Sequence, residues 1–378
     1  MKRYLIIGNG VAGTEAAMAI RKNDPKGQIL MVTEEPIPFY SRIKLPDYVA
    51  GITEKSNLII KNDQWYKDNR IELKTETCIV DIDHTKKQAR DQNDNVFEYD
   101  SLLISTGSVP FMPPIKGSSK KNIFALRTFD DANSIVQAVI NIKDVVIIGG
   151  GLLGLEAAHA FVKRGLNVIV VEFFDRLLPR QMDNQGALLL KSMLENMDFQ
   201  FRLGAKTKQI QGDTSVTGVE LESGEVLKAD IVLFSAGVRP NLALPEKSGI
   251  EIDQGVMVDE NMKTSLTDVY AAGDVARFQQ TNFCIWPEAQ EQGRVAGSNM
   301  AGDLQVFKPI IPSNRLKVAG IDLGAAGDID PDNMLESDIE KSDKVYRKIV
   351  KKGGKPVGCI MLGNTEGFSS LVRQITNN

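Results

Sequence analysis

The chain contains a pattern in which a short apolar run, a helix-forming stretch and a second apolar run follow one another. Residues 4–7 read Tyr-Leu-Ile-Ile, residues 14–20 are rich in helix formers, and residues 28–32 read Gln-Ile-Leu-Met-Val. Short apolar runs bounded by turn residues are typical of buried strands in a parallel sheet. The pattern therefore predicts a strand, a helix and a second strand in that order.

A second copy of this pattern lies in the middle of the chain. Residues 144–148 and 167–171 are predicted strands, and residues 155–162 between them are a predicted helix. Two further apolar runs, within 100–107 and 230–237, each end in a turn that contains glycine. Strands that alternate with helices predict an α/β fold with doubly wound parallel sheets.

Each predicted helix is preceded by a glycine motif, Gly-Asn-Gly-Val-Ala-Gly at 8–13 and Gly-Gly-Gly-Leu-Leu-Gly at 149–154. The three glycines of such a motif permit a tight turn, a close approach to a pyrophosphate, and close packing of helix on strand. The helix N-terminus then presents unpaired N–H groups to the phosphates. Two complete copies predict two dinucleotide sites. The alternative is two doubly wound domains whose glycine turns bind nothing.

Acidic residues follow the second strand of each copy. In the first copy, Glu34 and Glu35 lie after the strand at 28–32. In the second copy, Glu172 directly follows the strand at 167–171. An acid at this place is suited to bond the hydroxyls of a ribose, and it repels a 2′-phosphate. Glu172 therefore favours NADH over NADPH, although Arg176 lies near enough in sequence to bind a phosphate instead.

Composition excludes several classes of protein. The 378 residues carry a net charge of −4, with 42% hydrophobic and 25% charged residues, which predicts a folded chain of two or three domains. A pI near 5.5 argues against nucleic acid as the main partner. Because no apolar run approaches the ~20 residues of a membrane span and no secretory signal is recognisable, we expect a cytoplasmic protein without a membrane anchor.

Rare residues point to cofactor chemistry. Cys78, Cys284 and Cys359 are far apart and form no C-x-x-C motif, so neither a zinc site nor a dithiol of sequence neighbours is expected. With only two histidines, His84 and His159, a histidine-rich metal site is not expected either. The sequence predicts no metal, and it predicts that a bound cofactor carries out the reaction.

A third motif, Thr-Ser-Leu-Thr-Asp-Val-Tyr-Ala-Ala-Gly-Asp at 264–274, completes an ordered set. With it, the chain resembles the FAD- and pyridine-nucleotide-dependent reductases of the glutathione-reductase structural class. The resemblance implies that Gly273 and Asp274 bind the ribityl chain of FAD, and that the turn at 8–13 binds its pyrophosphate. It also implies that the segment around Trp286 and Glu288 runs along the flavin.

The resemblance further implies a nested layout. One Rossmann-like dinucleotide-binding domain, at 112–234 for NADH, is inserted in another, at 1–111 and 235–305 for FAD. A small α+β C-terminal domain follows at 306–378. In this tail, the alternation predicts a hairpin with strands at 345–350 and 357–362 around Gly353-Gly354. It also predicts a short amphipathic helix with Phe368, Leu371, Val372 and Ile375 on one face, which we expect to pack on its own domain.

The stretch at 39–46 resembles the flavin-side region of ferredoxin-type and rubredoxin reductases, but Asp47 stands where those proteins have a lysine. Arg42 is retained, and Lys44 is the candidate for the missing charge. In related reductases a lysine here pairs with the glutamate after the second glycine motif, so the resemblance implies that Lys44 and Glu156 form a catalytic pair. The alternative is that Lys44 is a surface residue.

Without a dithiol, electrons must pass from FAD to an external acceptor. The resemblance is closest to NADH:rubredoxin oxidoreductases and to the flavin portion of NADH-dependent nitrite reductases, which implies a small acidic carrier such as rubredoxin as partner. An NADH oxidase that reduces oxygen and a redox-sensing flavoprotein like apoptosis-inducing factor remain alternatives, and the oligomeric state stays open.

Basic residues are concentrated in the C-terminal hairpin, and they predict either a docking patch for the carrier or a charged sheet edge. These residues are Lys344, Arg347, Lys348, Lys351, Lys352 and Lys355. The residues predicted to bind FAD or NADH are Gly8, Gly10, Ala12, Gly13, Glu34, Glu35, Arg42, Lys44, Thr106, Gly107, Gly149, Gly151, Leu153, Gly154, Glu156, Glu172, Gly237, Gly273, Asp274, Trp286 and Glu288.

Overall fold

Strands and helices alternate through most of the chain in a computed structural model, which describes residues 1–311 and 313–377. The helices are α1 (Val11–Asn23), α2 (Leu45–Ala50), α3 (Lys55–Leu58), α4 (Asp63–Asp68), α5 (Phe129–Ala138), α6 (Leu152–Lys163), α7 (Asn184–Glu195), α8 (Trp286–Met300) and α9 (Phe368–Thr376). The strands before the middle of the chain are β1 (Arg3–Ile7), β2 (Gln28–Val32), β3 (Ile71–Lys74), β4 (Ile79–Asp83), β5 (Gln88–Asp91), β6 (Val96–Glu98), β7 (Ser101–Ile104), β8 (Ser108–Pro110), β9 (Ile123–Ala125), β10 (Asp144–Ile148) and β11 (Asn167–Val171).

The later strands are β12 (Phe199–Arg202), β13 (Thr207–Gln211), β14 (Gly218–Leu221), β15 (Val226–Lys228), β16 (Ile231–Phe234), β17 (Val238–Pro240), β18 (Val256–Met257), β19 (Val269–Ala271), β20 (Ala276–Arg277), β21 (Ser313–Val318), β22 (Ile321–Gly327), β23 (Glu336–Lys341), β24 (Tyr346–Lys352) and β25 (Lys355–Leu362). Single turns of 3₁₀ helix lie at Arg42–Lys44 and Pro245–Lys247. Together these elements form two compact units.

The first unit comprises Met1–Ile43, Glu54–Val109 and Val238–Ile310. Its central sheet is parallel, with the order β19-β7-β1-β2-β3, so a strand from the third segment pairs with a strand from the second. β4, β5 and β6 form a separate antiparallel sheet. The predicted strands at 4–7 and 28–32 and the helix between them are present.

Helices α1 and α8 of the first unit pack at very short distance. A Cβ atom on Gly293 would lie 2.3 Å from the carbonyl oxygen of Ala12, and one on Gly297 would lie 2.3 Å from that of Ala16. Since real Cβ atoms do not approach a carbonyl oxygen this closely, only glycine allows the two helices to meet here. The contact joins residues that are far apart in sequence.

The second unit comprises Lys44–Thr53, Pro110–Gly237 and Ile311–Asn378. Its first sheet is parallel, with the order β12-β11-β10-β16-β9. All five strands of this sheet come from the segment Pro110–Gly237. The further division into three domains, with 306–378 as a separate one, stays a prediction.

The C-terminal part of the second unit is an antiparallel sheet with the order β21-β22-β25-β24-β23. The predicted hairpin is present as β24 and β25, and Gly353 and Gly354 both have positive φ in its turn. Helix α9 buries Phe368, Leu371 and Ile375 against Ala326, Cys359 and Met361 of the sheet, as the amphipathic pattern predicted.

Candidate dinucleotide sites

The first glycine turn joins β1 to α1 and leaves open space where a phosphate could lie. Gly8 has a φ of +113°, and a Cβ atom there would lie 2.1 Å from the carbonyl oxygen of Ser105 at the end of β7. A Cβ atom on Gly13 would lie 2.1 Å from the carbonyl oxygen of Gly8. Gly10, in contrast, is the N-cap of α1 and has nothing within 4 Å of its Cβ position. Two of the glycines thus serve packing, and the third opens the site.

Hydrogen-bond donors at this turn lack acceptors. The amide nitrogen Nδ2 of Asn9 is buried and has no hydrogen-bond partner, while its Oδ1 accepts from the Tyr66 hydroxyl at 2.9 Å. The first N–H groups of α1 have no partners within the helix. Because buried donors are rarely left unpaired, this arrangement fits a bound anion such as the pyrophosphate of FAD.

The second turn, between β10 and α6, has the same geometry. Gly149 has a φ of +121°, with its Cβ position 2.2 Å from the carbonyl oxygen of Ser235, and the Cβ position of Gly154 is 2.1 Å from the oxygen of Gly149. Gly151 is the N-cap of α6 and has nothing within 4 Å of its Cβ position. The residues of this turn therefore also fit a pyrophosphate.

Glu172 is fixed beside the second turn. Its side chain is buried, and the carboxylate accepts from the N–H of Gly150 at 2.5 Å and from the N–H of Phe174 at 2.9 Å. A carboxylate has about four lone-pair positions, so it keeps capacity to accept from a ribose hydroxyl. Phe173 and Phe174, which follow it, are 60% and 52% exposed.

Arg176, the alternative phosphate ligand, lies on the same loop. Its Nη1 is 3.5 Å from a carboxylate oxygen of Asp175, and its Nε is buried without a hydrogen-bond partner. The preference between NADH and NADPH stays a prediction that rests on Glu172.

The two acids after β2 have different surroundings. Glu34 is exposed, whereas Glu35 is buried and its carboxylate contacts the Tyr40 hydroxyl and the Arg42 guanidinium. The Arg42 guanidinium also lies 5.3 Å from the centre of the Tyr40 ring. Arg42 is therefore held by Glu35.

The Thr-Gly turn after β7 and the Gly-Asp motif after β19 lie close together in the first unit. The Asp274 carboxylate accepts from the Ser108 hydroxyl at 2.6 Å, and the N–H of Gly273 donates to Oε1 of Gln292 at 2.8 Å. The Thr106 hydroxyl donates to the carbonyl of Asn241 at 3.1 Å. Since β7 and β19 are adjacent parallel strands, their carboxyl ends bring these motifs to one edge of the sheet.

The start of α8 carries the other two predicted flavin-side residues. The ring of Trp286 lies 5.9 Å from that of Phe39. Glu288 is 1% exposed; its Oε1 accepts from the N–H of Ile310 at 2.9 Å, and its Oε2 is buried without a partner. Burial raises the pKa of Glu288. Part of its function is thus to hold the segment that follows α8.

Glu156, in the first turns of α6, accepts a hydrogen bond from the N–H of Ala319 at 2.8 Å. Burial is the main cause that raises its pKa; the hydrogen bond from Ala319 opposes this, and the negative charge of Asp47 adds to it. Lys44 is the N-cap residue of α2. The catalytic pair of Lys44 and Glu156 stays a prediction.

The predicted docking patch is wrong in one residue. Lys348 is completely buried, because β24 turns Tyr346, Lys348 and Val350 toward the interior. Lys351 pairs with Asp338 at 2.5 Å. Of the six basic residues in the hairpin, only Lys344, Lys352 and Lys355 are exposed.

No disulfide joins any two of the three cysteines, and none lies next to another in sequence. Burial raises the pKa of Cys78, and it raises the pKa of Cys359 to about 11. Cys78 is half-buried and lies just before β4. Cys284, which precedes α8, has a φ of +51°.

Several residues of these sites were not predicted. Asn9 lies between two motif glycines, and its position inside the motif was an available signal. Ser108 and Gln292 contact predicted residues from other parts of the chain, and no local pattern indicates such contacts, whereas Tyr40 lies only five residues from Glu35. Within the described ranges 1–311 and 313–377, no group of three metal-binding side chains occurs, and no helix is long and apolar enough to cross a membrane.

Comparisons with known proteins agree with this geometry. Residues 2–293 match the family described as pyridine nucleotide-disulphide oxidoreductase, and residues 312–378 match the family described as Rubredoxin NAD+ reductase C-terminal domain. The NADH-rubredoxin oxidoreductase of Clostridium acetobutylicum is 32% identical over 99% of this chain and 92% of that protein. The crystal structure of NADH:rubredoxin oxidoreductase from the same organism has a TM-score of 0.83 at 29% identity, and the match covers 100% of this chain and 95% of that one.

Longer relatives are equally similar. The NAD(P)H nitrite reductase of Bacillus subtilis is 32% identical over 99% of this chain, which covers 47% of that protein. The chain thus spans less than half the length of this relative. The matches confirm the predicted resemblance and the fold class, and they show that the chain belongs to the pyridine nucleotide-disulphide oxidoreductase family.

Proposed function

Because the chain belongs to the pyridine nucleotide-disulphide oxidoreductase family, we propose that it is a reductase that oxidises NADH and passes the electrons to a small external carrier. The observation that carries this proposal is the pair of glycine turns with the same geometry, one in each unit, at Gly8–Gly13 and Gly149–Gly154. Bound FAD would supply the chemistry that accepts a hydride and releases single electrons.

The residues of the chain bind and orient the cofactors. In the first unit, the N-terminus of α1 and Nδ2 of Asn9 offer donors to a pyrophosphate, and Asp274 offers a carboxylate to sugar hydroxyls. In the second unit, the N-terminus of α6 and Glu172 offer the corresponding groups to NADH. The proposed catalytic pair, Lys44 and Glu156, would place charge near the reacting rings.

The arrangement of the cysteines supports the proposal that the electron acceptor is external. A redox-active disulfide requires two thiols within reach of each other, and the three cysteines form no C-x-x-C or C-x4-C motif. Two of the three, Cys78 and Cys359, have raised pKa values, which disfavours the reactive thiolate. We include a cytoplasmic location in the proposal.

For the carrier, we propose a small acidic protein of the rubredoxin type. The support is the C-terminal match and the similarity to NADH-rubredoxin oxidoreductase. The exposed lysines of the hairpin, Lys352 and Lys355, are candidates for its docking surface. Opposite charges would speed the encounter, and salt would slow it.

The proposal is tested by NADH consumption under three conditions: with oxygen alone, with a one-electron dye, and with added rubredoxin. We expect rapid turnover with the dye and with rubredoxin, and slow turnover with oxygen alone. Fast turnover with oxygen alone would instead indicate an NADH oxidase. A long-lived reduced complex that none of the three acceptors reoxidises would indicate a redox sensor.

The docking surface is tested separately with the double variant Lys352→Glu, Lys355→Glu. At low salt we expect a several-fold lower rate with rubredoxin and an unchanged rate with the dye. The matched control is the double variant Lys22→Glu, Lys26→Glu, at two exposed lysines near the end of α1. An equal loss in both proteins would show that only net charge matters.

A further inference from the structure

Three polar side chains of the second unit meet in the interior, and the proposed reaction does not use them. Asp183 is 1% exposed, and Tyr346 and Lys348 are each 0% exposed. Oδ2 of Asp183 accepts from the Tyr346 hydroxyl at 2.6 Å and lies 3.4 Å from Nζ of Lys348. We call these three residues the Asp183 clasp. It connects the start of α7 to strand β24 of the C-terminal sheet.

Other hydrogen bonds hold the members of the clasp in place. Oδ1 of Asp183 accepts from the N–H of Gly186 and so caps α7, at 2.9 Å. Nζ of Lys348 donates to the carbonyl of Asp330 at 2.6 Å and to Oδ1 of Asn333 at 2.8 Å. A buried ion pair adds little net stability compared with apolar residues, and in some proteins it fixes one arrangement of its partners. The clasp is therefore better suited to fix a position than to stabilise the fold.

A packing contact fixes the same position independently. A Cβ atom on Gly186 would lie 3.0 Å from Cδ1 of Tyr346 and 2.9 Å from the sulfur of Met182. Glycine at 186 thus allows the Tyr346 ring to lie directly against the first turn of α7. The C-terminal sheet and the start of α7 are in contact through both polar and apolar groups.

Asp183 of the clasp lies at the far end of the loop that begins after Glu172, the proposed ribose ligand. Residues 173–182 are irregular and connect Glu172, after β11, to Asp183, before α7. Leu177 and Leu178 are buried, and a Cβ atom on Gly150 would lie 3.0 Å from Cδ2 of Leu177. The middle of the loop therefore packs against the second glycine turn.

The backbone of this loop needs support from its surroundings. Leu178 has a φ of +49°, a conformation that a leucine adopts only when neighbouring groups enforce it. The N–H groups of Gln181 and Met182 both donate to the carbonyl of Leu178 at 2.9 Å. The next residue is Asp183, so the strained turn is followed at once by the clasp.

We infer that the Asp183 clasp positions loop 173–182 for the adenosine half of NADH, so that the C-terminal sheet sets the affinity for NADH. This inference rests on the proposed function, because it takes the second glycine turn as the NADH site. Tyr346 and Lys348 are then positioning residues that act through Asp183 and the loop.

The test compares two variants, Tyr346→Phe and Lys348→Met, in the FAD-loaded enzyme. We expect KM for NADH to rise roughly tenfold while kcat with the dye changes little, since a small displacement of a binding loop weakens ground-state contacts. Reduced nicotinamide mononucleotide lacks the adenosine half, so its oxidation rate should be unchanged. The affinity for ADP-ribose, measured by calorimetry, should fall by the same factor as KM rises.

Matched controls separate this effect from general damage. Tyr99→Phe removes the hydroxyl of another fully buried tyrosine, one whose hydroxyl has no hydrogen-bond partner. Lys341→Met removes an exposed lysine of β23 that lies opposite Tyr346 in the sheet. Both controls should keep the wild-type KM for NADH and the wild-type affinity for ADP-ribose.

Unchanged KM and unchanged ADP-ribose affinity in Tyr346→Phe and Lys348→Met would overturn the inference. So would equal losses with NADH and with the mononucleotide, or a loss of folded structure that accompanies the loss of affinity, because each indicates a purely structural role. Failure of the proposed function would look different. In that case the wild-type enzyme itself would neither oxidise NADH nor bind ADP-ribose.

Discussion

In the proposed function, Glu172 is the residue on which the choice between NADH and NADPH depends. Replacing it with Ala removes a ribose acceptor and the repulsion of a 2′-phosphate. The discrimination between the two dinucleotides should fall by ~1–3 kcal/mol, a typical value for hydrogen bonds to charged groups. The measurement is the ratio of kcat/KM for NADH and NADPH.

The control for Glu172→Ala is Arg176→Ala on the same loop. It should leave the ratio nearly unchanged if Arg176 binds no phosphate. A wild-type preference for NADPH, or a larger effect of Arg176→Ala than of Glu172→Ala, would contradict the assignment.

The raised pKa of Glu156 predicts that the stability of the protein depends on pH. Its pKa is higher in the folded state than in the unfolded chain. Its favourable contribution to the free energy of unfolding is therefore present below the pKa of the unfolded chain, and it is lost as the pH rises through the pKa of the folded state. Glu156→Gln keeps an acceptor for the N–H of Ala319 but cannot ionise. Relative to wild type, the variant should therefore gain stability as the pH rises above about 4.5, the ordinary pKa of a glutamate.

The urea midpoint at several pH values measures the effect of Glu156→Gln. Glu54→Gln, at the exposed position just before α3, is the control and should show no such trend. A difference from wild type that is the same at every pH would show that burial of Glu156 has no ionic cost.

At the scale of single residues, the sequence predicts what a turn or a strand end fixes locally. Gly8 and Gly149 have positive φ in tight turns and Glu172 directly follows β11, while the cofactor-binding roles of these residues stay predictions. Lys348 was placed on the surface because lysines are rarely buried. Its burial depends on Asp183 and Asn333, which lie far away in sequence, and no local pattern contains them.

At the scale of elements, the crossing of α1 and α8 predicts a steric effect. Gly297→Ala would place a Cβ atom 2.3 Å from the carbonyl oxygen of Ala16. The resulting displacement of the helices should cost about 1–3 kcal/mol, more than the small gain in helix propensity. Thermal unfolding and the FAD content after purification measure the two consequences.

The matched control for Gly297→Ala is Gln290→Ala, an exposed position on the same helix. We expect that variant to keep the wild-type melting temperature and FAD content. A Gly297→Ala protein as stable as the control would show that α1 and α8 separate without cost.

The helices and strands were predictable where the sequence has a clear apolar periodicity. The buried strands β1, β10 and β24 appear where the pattern placed them, and the Gly353-Gly354 turn defines the hairpin. Strand β23, of sequence Glu-Ser-Asp-Ile-Glu-Lys, was not predicted. It is exposed and highly charged, and it forms only because β24 offers it backbone hydrogen bonds.

At the scale of the whole molecule, the two tryptophans allow the units to be followed separately. Trp65 and Trp286 both belong to the first unit, so tryptophan fluorescence reports its unfolding alone. Excess FAD should stabilise that transition by ~2.7 kcal/mol at 100 times its dissociation constant. NAD+ should leave it in place and shift only the transition seen by circular dichroism. Coincident transitions that both ligands shift equally would show that the units unfold as one.

The contact between α1 and α8 also has a consequence for biosynthesis. Ala12 and Ala16 leave the ribosome early, whereas Gly293 and Gly297, which cover them, follow after the whole of segment 110–237. The parallel sheet of that inserted segment is complete in the nascent chain before the helix that closes the first unit has been translated. Since domains fold as their residues emerge, the apolar face of α1 stays exposed until α8 has been synthesised. We expect chaperones to bind this face during synthesis.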